Sequence, residues 1–139
     1  MLLDDETADL IAQAITYDLD VPGDWVEASN DQRAETYNGI GPDWLPELLR
    51  EWATSLWHYF AAAALIHDWE YATTKDRSKK SFWLINNRFR KNCKRLLKMK
   101  GCPWYKRWLY ERRIDALADA CDTFGFPGFL AAGKVDLKK

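Results

Sequence analysis

Apolar residues recur along this chain at helical spacing, and short polar segments rich in turn residues separate them. The first apolar stripe predicts a helix over residues 5–18, with Asp4 or Asp5 as its N-cap. Residues 21–24 break this helix, and residues 24–43 are interpreted as a loop. The stripe consists of Leu10, Ile11, Ala14 and Ile15.

A second and longer stripe has Pro46 in its first turn and continues at helical spacing to Tyr71. A length of about 26 residues is unusual for a helix in a globular protein, so we expect a kink or a break within residues 53–60. The stripe consists of Leu45, Leu48, Leu49, Trp52, Leu56, Tyr59 and Phe60.

Two further helices are predicted in the second half of the chain. Ser81 is interpreted as the N-cap of a helix over residues 82–100 that ends at Gly101, and a C-terminal helix follows over residues 103–124. Residues 126–128 and the lysine-ended tail are interpreted as loop. Because no strand-like alternation is present, the sequence predicts an all-α fold. The two stripes consist of Phe82, Ile85, Phe89, Cys93 and Leu96, and of Trp104, Trp108, Ile114, Leu117 and Cys121.

Composition predicts one domain over residues 1–139, since the chain is of ordinary domain length and 47% of it is hydrophobic. Its net charge of −1 hides a strong asymmetry. Residues 1–74 contain fifteen acidic and two basic residues, whereas residues 75–113 contain fifteen basic and two acidic ones. Either the basic part meets an anionic partner, or the two parts pack against each other with solvated charged faces.

A phospholipid membrane surface is the anionic partner that the basic part favours, and nucleic acid is the alternative. Lysine and arginine are attracted to anionic lipid, and tryptophan prefers the membrane interface. Aromatic residues interleaved with basic ones could instead stack on bases. The candidate residues for an anionic surface are Arg88, Arg90, Lys91, Lys94 and Arg95. The interleaved aromatic residues are Trp104, Tyr105 and Trp108.

Cysteine usage and the first residues favour a cytoplasmic or non-classically released protein. Three cysteines do not form a disulfide framework and fit a reducing compartment. The acidic residues among the first six are atypical of a secretion signal, and no run of 18 apolar residues predicts a transmembrane segment.

Candidate chemistry lies at the end of the long second helix, where His67 is followed by Asp68 and, one turn later, by Tyr71. A histidine can act as a general base, and an aspartate binds hard cations. The simpler interpretation of His67 is a core histidine whose ring is satisfied by a backbone carbonyl. The segment containing Tyr37, Gly39 and Gly41 could turn backbone carbonyls towards Ca²⁺, with an aspartate completing the site. These parts suffice for ester hydrolysis by water.

The segments Tyr37-x-Gly39-x-Gly41 and His67-Asp68-x-x-Tyr71 resemble the calcium loop and catalytic helix of the secreted phospholipase A2 superfamily. The likeness is to its cysteine-poor parvoviral and phage or bacterial branches. The resemblance implies Ca²⁺ held by the loop carbonyls and Asp68, and His67 activating water against the sn-2 ester of a glycerophospholipid. It also implies that Tyr71 supports the site through a hydrogen bond. A phospholipase-like core would cover residues 37–100.

The chain departs from the family pattern at the residue that orients the histidine. The family has an aspartate on the following antiparallel helix, whereas the matching position here is Asn86 or Asn87. An asparagine carbonyl can accept the imidazole N–H, but it cannot offset the charge of an imidazolium. Gly41 and His67 are also 26 residues apart, which is longer than the usual connection.

Three functions therefore remain open. The first is calcium-dependent hydrolysis of a phospholipid ester, with the site on two antiparallel core helices preceded by the glycine-containing loop. The second is a binding or structural protein that kept the fold and lost the chemistry. The third is a protein that binds nucleic acid or an anionic membrane through its basic face.

Overall fold

The computed structural model describes residues 4–37 and 47–132, apart from the side chains of residues 48–49, 52–53 and 132. These residues form seven α-helices and no β-strand, so the predicted all-α class is confirmed. None of the described helices is long and apolar enough to cross a membrane. In chain order the helices are α1 (Asp5–Thr16), α2 (Gly23–Glu27), α3 (Asn30–Glu35), α4 (Glu47–Thr73), α5 (Lys79–Met99), α6 (Trp104–Phe124) and α7 (Phe126–Ala132).

The two long helices α4 and α5 pack side by side and run antiparallel. Near the end of α4, the ring of Tyr71 lies 5.9 Å from that of Phe82, near the start of α5. Earlier in α4, the ring of Phe60 lies 6.2 Å from that of Phe89, which is further along α5. This order of contacts confirms the predicted pair of antiparallel core helices.

Small buried residues in the middle of α4 let the neighbouring helices approach it closely. Residues 61–64 are four consecutive buried alanines, and Leu65 and Ile66 continue the buried run. Helix α6 packs against both α4 and α5, with Ile114 and Leu117 buried in the contact. The short helix α7 contributes Phe129 to a second, smaller apolar cluster, in which it packs with Phe82 and Ile85 of α5.

Helix α4 is interrupted at Phe60, which has non-helical backbone angles of φ −118° and ψ 15°. The kink expected within residues 53–60 is therefore confirmed, at the last of those positions. Since a kink re-aims the helix that follows it, the direction of residues 61–73 relative to α5 is set at this point.

Two short helices occupy part of the segment predicted to be a loop, so that prediction is wrong for residues 24–27 and 30–35. Helices of five and six residues are shorter than two turns and show no periodic stripe in the sequence. The start of α3 nevertheless has a local signal, because Ser29 and Gln32 form a capping box. Residues 38–43 of the predicted loop lie outside the described residues.

The ends of the later helices differ from the prediction in two places. The N-cap of α5 is Ser78 and not Ser81, because the Ser78 hydroxyl accepts the backbone N–H of Ser81 at 3.2 Å. The segment after Gly125 is helical and not a loop, because Pro127 falls in the first turn of α7, where a missing N–H breaks no helical hydrogen bond.

The apolar stripe predicted for α6 places Trp104 and Trp108 on its buried face, and this prediction is wrong. They are 76% and 61% exposed, whereas Ile114 and Leu117 are buried. Nine residues separate Trp108 from Leu117, and at 100° per residue they point to roughly opposite sides of the helix. The apolar stripe therefore changes face along α6.

Candidate active site

The candidate site lies between α4 and α5, where two side chains one turn apart on α4 face the same way. The rings of His67 and Tyr71 are 4.2 Å apart between centroids. Phe89 of α5 closes the other side of the imidazole, with its ring centroid 4.7 Å away. The predicted common face of His67 and Tyr71 is therefore present, and aromatic rings enclose much of the histidine.

Asn86 of α5 joins these two side chains. It is only 1% exposed, and its Oδ1 lies 2.8 Å from His67 Nε2 and 2.8 Å from the Tyr71 hydroxyl. Its Nδ2 donates to Asp122 Oδ1 of α6 at 2.9 Å. An ionised carboxylate only accepts hydrogen bonds, so Asp122 holds the amide with its NH₂ towards α6 and its oxygen towards α4.

This amide orientation assigns the proton on the imidazole. Because Asn86 presents an acceptor to His67, Nε2 must carry the hydrogen and donate it. The neutral ring then has its lone pair on Nδ1, which is the nitrogen left to act as a base. The Tyr71 hydroxyl also donates to the same oxygen. The Tyr71 hydroxyl and the Asp122 carboxylate thus fix the Asn86 amide, and the amide holds the imidazole in one orientation.

The two sequence alternatives for the histidine's partner are distinguished by this geometry. Asn86 faces His67, whereas Asn87 is exposed. The partner is a side-chain amide and not the backbone carbonyl of the simpler interpretation. Asp122 was not identified in the sequence. Its signal there is the spacing of three acidic residues, Asp115, Asp119 and Asp122, along one side of α6.

Burial sets the protonation states of the histidine and the tyrosine. It lowers the pKa of His67 from 6.5 to about 4, while the hydrogen bond to Asn86 acts in the opposite direction. Burial also raises the pKa of Tyr71, so its hydroxyl stays a donor. At neutral pH the imidazole is therefore uncharged and able to accept a proton, although its low pKa makes it a weak base.

The proposed metal ligands are only partly described. Asp68 follows His67 on α4 and is partly buried. Tyr37 stacks on Trp57 at 6.4 Å between centroids, and burial together with the negative charge of Asp68 raises the pKa of Tyr37. The start of the predicted calcium loop is therefore within electrostatic range of Asp68. Gly39 and Gly41 lie outside the described residues.

Within residues 4–37 and 47–132, no three His, Cys, Asp or Glu side chains are grouped so that they could hold a metal ion. A calcium site of the predicted kind has a different donor set, with backbone carbonyls and a single carboxylate. The carboxylate of Asp68 is an oxygen donor of the kind that a hard cation takes.

Four of the five residues predicted to form an anionic surface are engaged in ion pairs within the chain. The fifth, Lys91, is exposed on α5. The pairs are Arg88 with Glu70 at 2.8 Å and Asp20 at 3.1 Å, Arg90 with Asp119 at 2.8 Å, Lys94 with Asp115 at 2.8 Å, and Arg95 with Asp18 at 3.4 Å. Much of the basic charge of α5 therefore meets acidic residues of α4, α6 and the segment after α1.

Comparison of the chain with protein-family models, with curated proteins and with solved structures gives no match. Function must therefore be inferred from the site itself.

Proposed function

We propose that this protein hydrolyses a phospholipid ester in a calcium-dependent reaction, with His67 as the general base. The observation that carries the proposal is the shared oxygen of Asn86, which lies 2.8 Å from both His67 Nε2 and the Tyr71 hydroxyl. This arrangement provides an oriented, neutral imidazole next to a carboxylate, which is what the sequence resemblance to phospholipases A2 requires.

In the proposed reaction, His67 Nδ1 takes a proton from a water molecule while the water oxygen attacks the ester carbonyl carbon. The bond to the leaving alcohol then breaks, and the proton on His67 is delivered to that alcohol oxygen. Asn86 and Tyr71 keep the ring in place throughout. Ca²⁺ bound by Asp68 and the loop carbonyls would stabilise the oxyanion. The products are a fatty acid and a lysophospholipid.

A second candidate function is calcium binding without turnover. It is favoured by the neutral amide of Asn86, because the imidazolium formed during the reaction has no carboxylate in direct contact. The carboxylate of Asp122 is one amide further away. Burial, which lowers the pKa of His67 to about 4, also disfavours the charged ring. This arrangement favours slow chemistry.

The two functions are separated by measuring calcium binding and hydrolysis on the same variants. We expect His67→Ala to abolish hydrolysis of mixed phospholipid vesicles while calcium binding, measured by calorimetry, persists. We expect Asp68→Ala to weaken calcium binding. His58→Ala is the matched control, because His58 is the chain's other histidine and is exposed on α4.

Hydrolysis that survives His67→Ala would exclude the proposed mechanism. Calcium binding that depends on Asp68 without any hydrolysis would support the second candidate. If calcium does not bind the wild-type protein at all, both candidates fail and the hydrogen-bonded cluster around Asn86 is a packing motif.

A further inference from the structure

The first two turns of α6 present an unusually apolar face to solvent. Trp104, Tyr105 and Trp108 are 76%, 60% and 61% exposed, and Leu109 is exposed beside them. Arg112 stacks its guanidinium on the Trp108 ring, 4.3 Å from the centroid. At 100° per residue these five side chains fall within an arc of about 140°. We call them the α6 surface.

Positive charge surrounds the α6 surface. Residues 98–113 contain six basic residues and one acidic residue, Glu111, which lies 3.9 Å from Arg107. Lys98, Lys106 and Arg112 form no ion pair within the part of the chain that the structure describes. This region therefore differs from the middle of α5, where acidic residues neutralise most of the basic side chains.

We propose that the α6 surface docks on an anionic phospholipid bilayer. Exposed tryptophan and tyrosine rings are stable at the level of the lipid headgroups, and lysine and arginine are attracted to anionic lipid. A helix that lies in the interface places its apolar side at the boundary of the acyl chains and keeps its charges among the headgroups. The α6 surface has this composition over two turns.

Two features favour a bilayer over the other partners of a basic, aromatic surface. Leu109 gains from contact with acyl chains but cannot stack on nucleic-acid bases as an aromatic ring does. Trp104 and Tyr105 meet edge to face, at 88° and 5.8 Å, and so do not form one flat stacking platform. A second copy of the chain would bring an equal positive charge against the same surface.

The α6 surface is separate from the candidate active site. Trp108 and Asp122 are fourteen positions apart in α6, which is about 20 Å along the helix axis. The proposed role is attachment to the bilayer and not the lining of a path to His67. Membrane binding therefore needs neither calcium nor hydrolysis, and it can be tested independently of the proposed function.

The test is co-sedimentation with vesicles in EDTA, comparing phosphatidylcholine containing phosphatidylglycerol with phosphatidylcholine alone. We expect wild type to bind the anionic vesicles, and added salt to weaken the binding. Trp104→Ser with Trp108→Ser should weaken it by at least about tenfold. Lys106→Gln with Arg112→Gln should weaken it by about 25-fold, at about fivefold per charge.

Two matched controls keep the test specific, and circular dichroism confirms that each variant is folded. Trp83→Ser removes a tryptophan of α5 that is 54% exposed, and Lys80→Gln removes an exposed lysine at the start of α5, the end far from the α6 surface. The tryptophan control should weaken binding by less than about twofold, and the lysine control by less than about fivefold.

Several outcomes would overturn the proposal. These are no binding to anionic vesicles, binding that the tryptophan pair and the charge pair leave unchanged, and equal losses in the controls and the test variants. Preferential binding of a single-stranded oligonucleotide through the same residues, without vesicle binding, would assign the surface to nucleic acid. A dimer that the tryptophan pair dissociates, again without vesicle binding, would assign it to self-association.

Discussion

Exchanging the amide and the acid at the centre of the candidate site is the most informative perturbation of this protein. Asn86 Nδ2 and Asp122 Oδ1 are 2.9 Å apart. In the double variant Asn86→Asp with Asp122→Asn, the new amide can donate to the new carboxylate across the same gap. The hydrogen bond is kept, but the negative charge moves into direct contact with His67 and Tyr71.

The single variant Asn86→Asp should behave very differently from the double variant. It places two carboxyl groups at hydrogen-bonding distance, where both cannot be ionised without strong repulsion. We expect it to lower the free energy of unfolding by about 2 to 4 kcal/mol at neutral pH. The double variant should recover most of this loss, to within about 1 kcal/mol of wild type.

The double variant should also change the basicity of the histidine. Burial lowers the pKa of His67 to about 4 in the wild-type protein. A carboxylate in contact with the ring favours the imidazolium, and we expect it to raise the pKa by about 1 to 3. If the protein is a hydrolase, turnover should rise as well, because triad hydrolases lose about 10⁴ in kcat when the orienting aspartate becomes asparagine.

The assay is an NMR titration of the imidazole in EDTA, together with urea unfolding of each variant. A His58→Gln background leaves His67 as the only histidine, so its resonances need no assignment. The reasoning would be refuted by a single Asn86→Asp variant as stable as wild type. It would also be refuted if the pKa of His67 in the double variant stayed at the wild-type value.

Three further predictions test the surroundings of the site by urea unfolding in EDTA. Burial raises the pKa of Glu70 from 4.5 to about 7. The folded chain therefore holds this proton more tightly than the unfolded chain, and the resulting stability, present at pH 4.5, is lost as pH rises through 7. Glu70→Gln should therefore cost about 2 to 3 kcal/mol more, relative to wild type, at pH 4.5 than at pH 7, and an equal difference at both would contradict this. Tyr71→Phe removes one donor to Asn86, which keeps its hydrogen bond to the histidine. The free energy of unfolding should therefore fall by about 1 kcal/mol, and a fall above about 3 kcal/mol would mean that the hydroxyl has another role. Arg77 donates to the Phe129 carbonyl and stacks on its ring at 3.7 Å. Arg77→Met should therefore cost about 2 to 3 kcal/mol and speed amide hydrogen exchange in α7 before α5, whereas equal protection of both helices would refute the contact.

Local signals in the sequence predicted the larger elements of this fold well. The N-cap at Asp4 and the end of the third predicted helix at Gly101, which has φ 76°, both depend on single residues and their immediate neighbours. The pairing of His67 with Tyr71 depends on spacing within one helix. Such features need no information about which helix packs where.

The parts that the sequence did not predict depend on contacts between distant segments. Asp122 lies 36 residues after Asn86, and nothing near either residue indicates that their side chains meet. The basic residues of α5 were candidates for an anionic surface because their acidic partners come from other elements of the chain. Arg88, for example, pairs with Asp20 and Glu70, which precede it by 68 and 18 residues. Neutralisation of charge is therefore visible only in the folded chain.

The pairing between α5 and α6 also explains why the two tryptophans of α6 are exposed. Asn86 meets Asp122, Arg90 meets Asp119 and Lys94 meets Asp115, so each step forward along α5 corresponds to a step back along α6. Continued at the same rate, this register places Trp108 opposite residues 100–101, just beyond the end of α5 at Met99. One side of α6 therefore carries acidic residues in the part that faces α5. The same side carries tryptophans in the part that extends past the end of α5. Their exposure follows from the length of α5, and it would persist in any variant that preserves the three pairs.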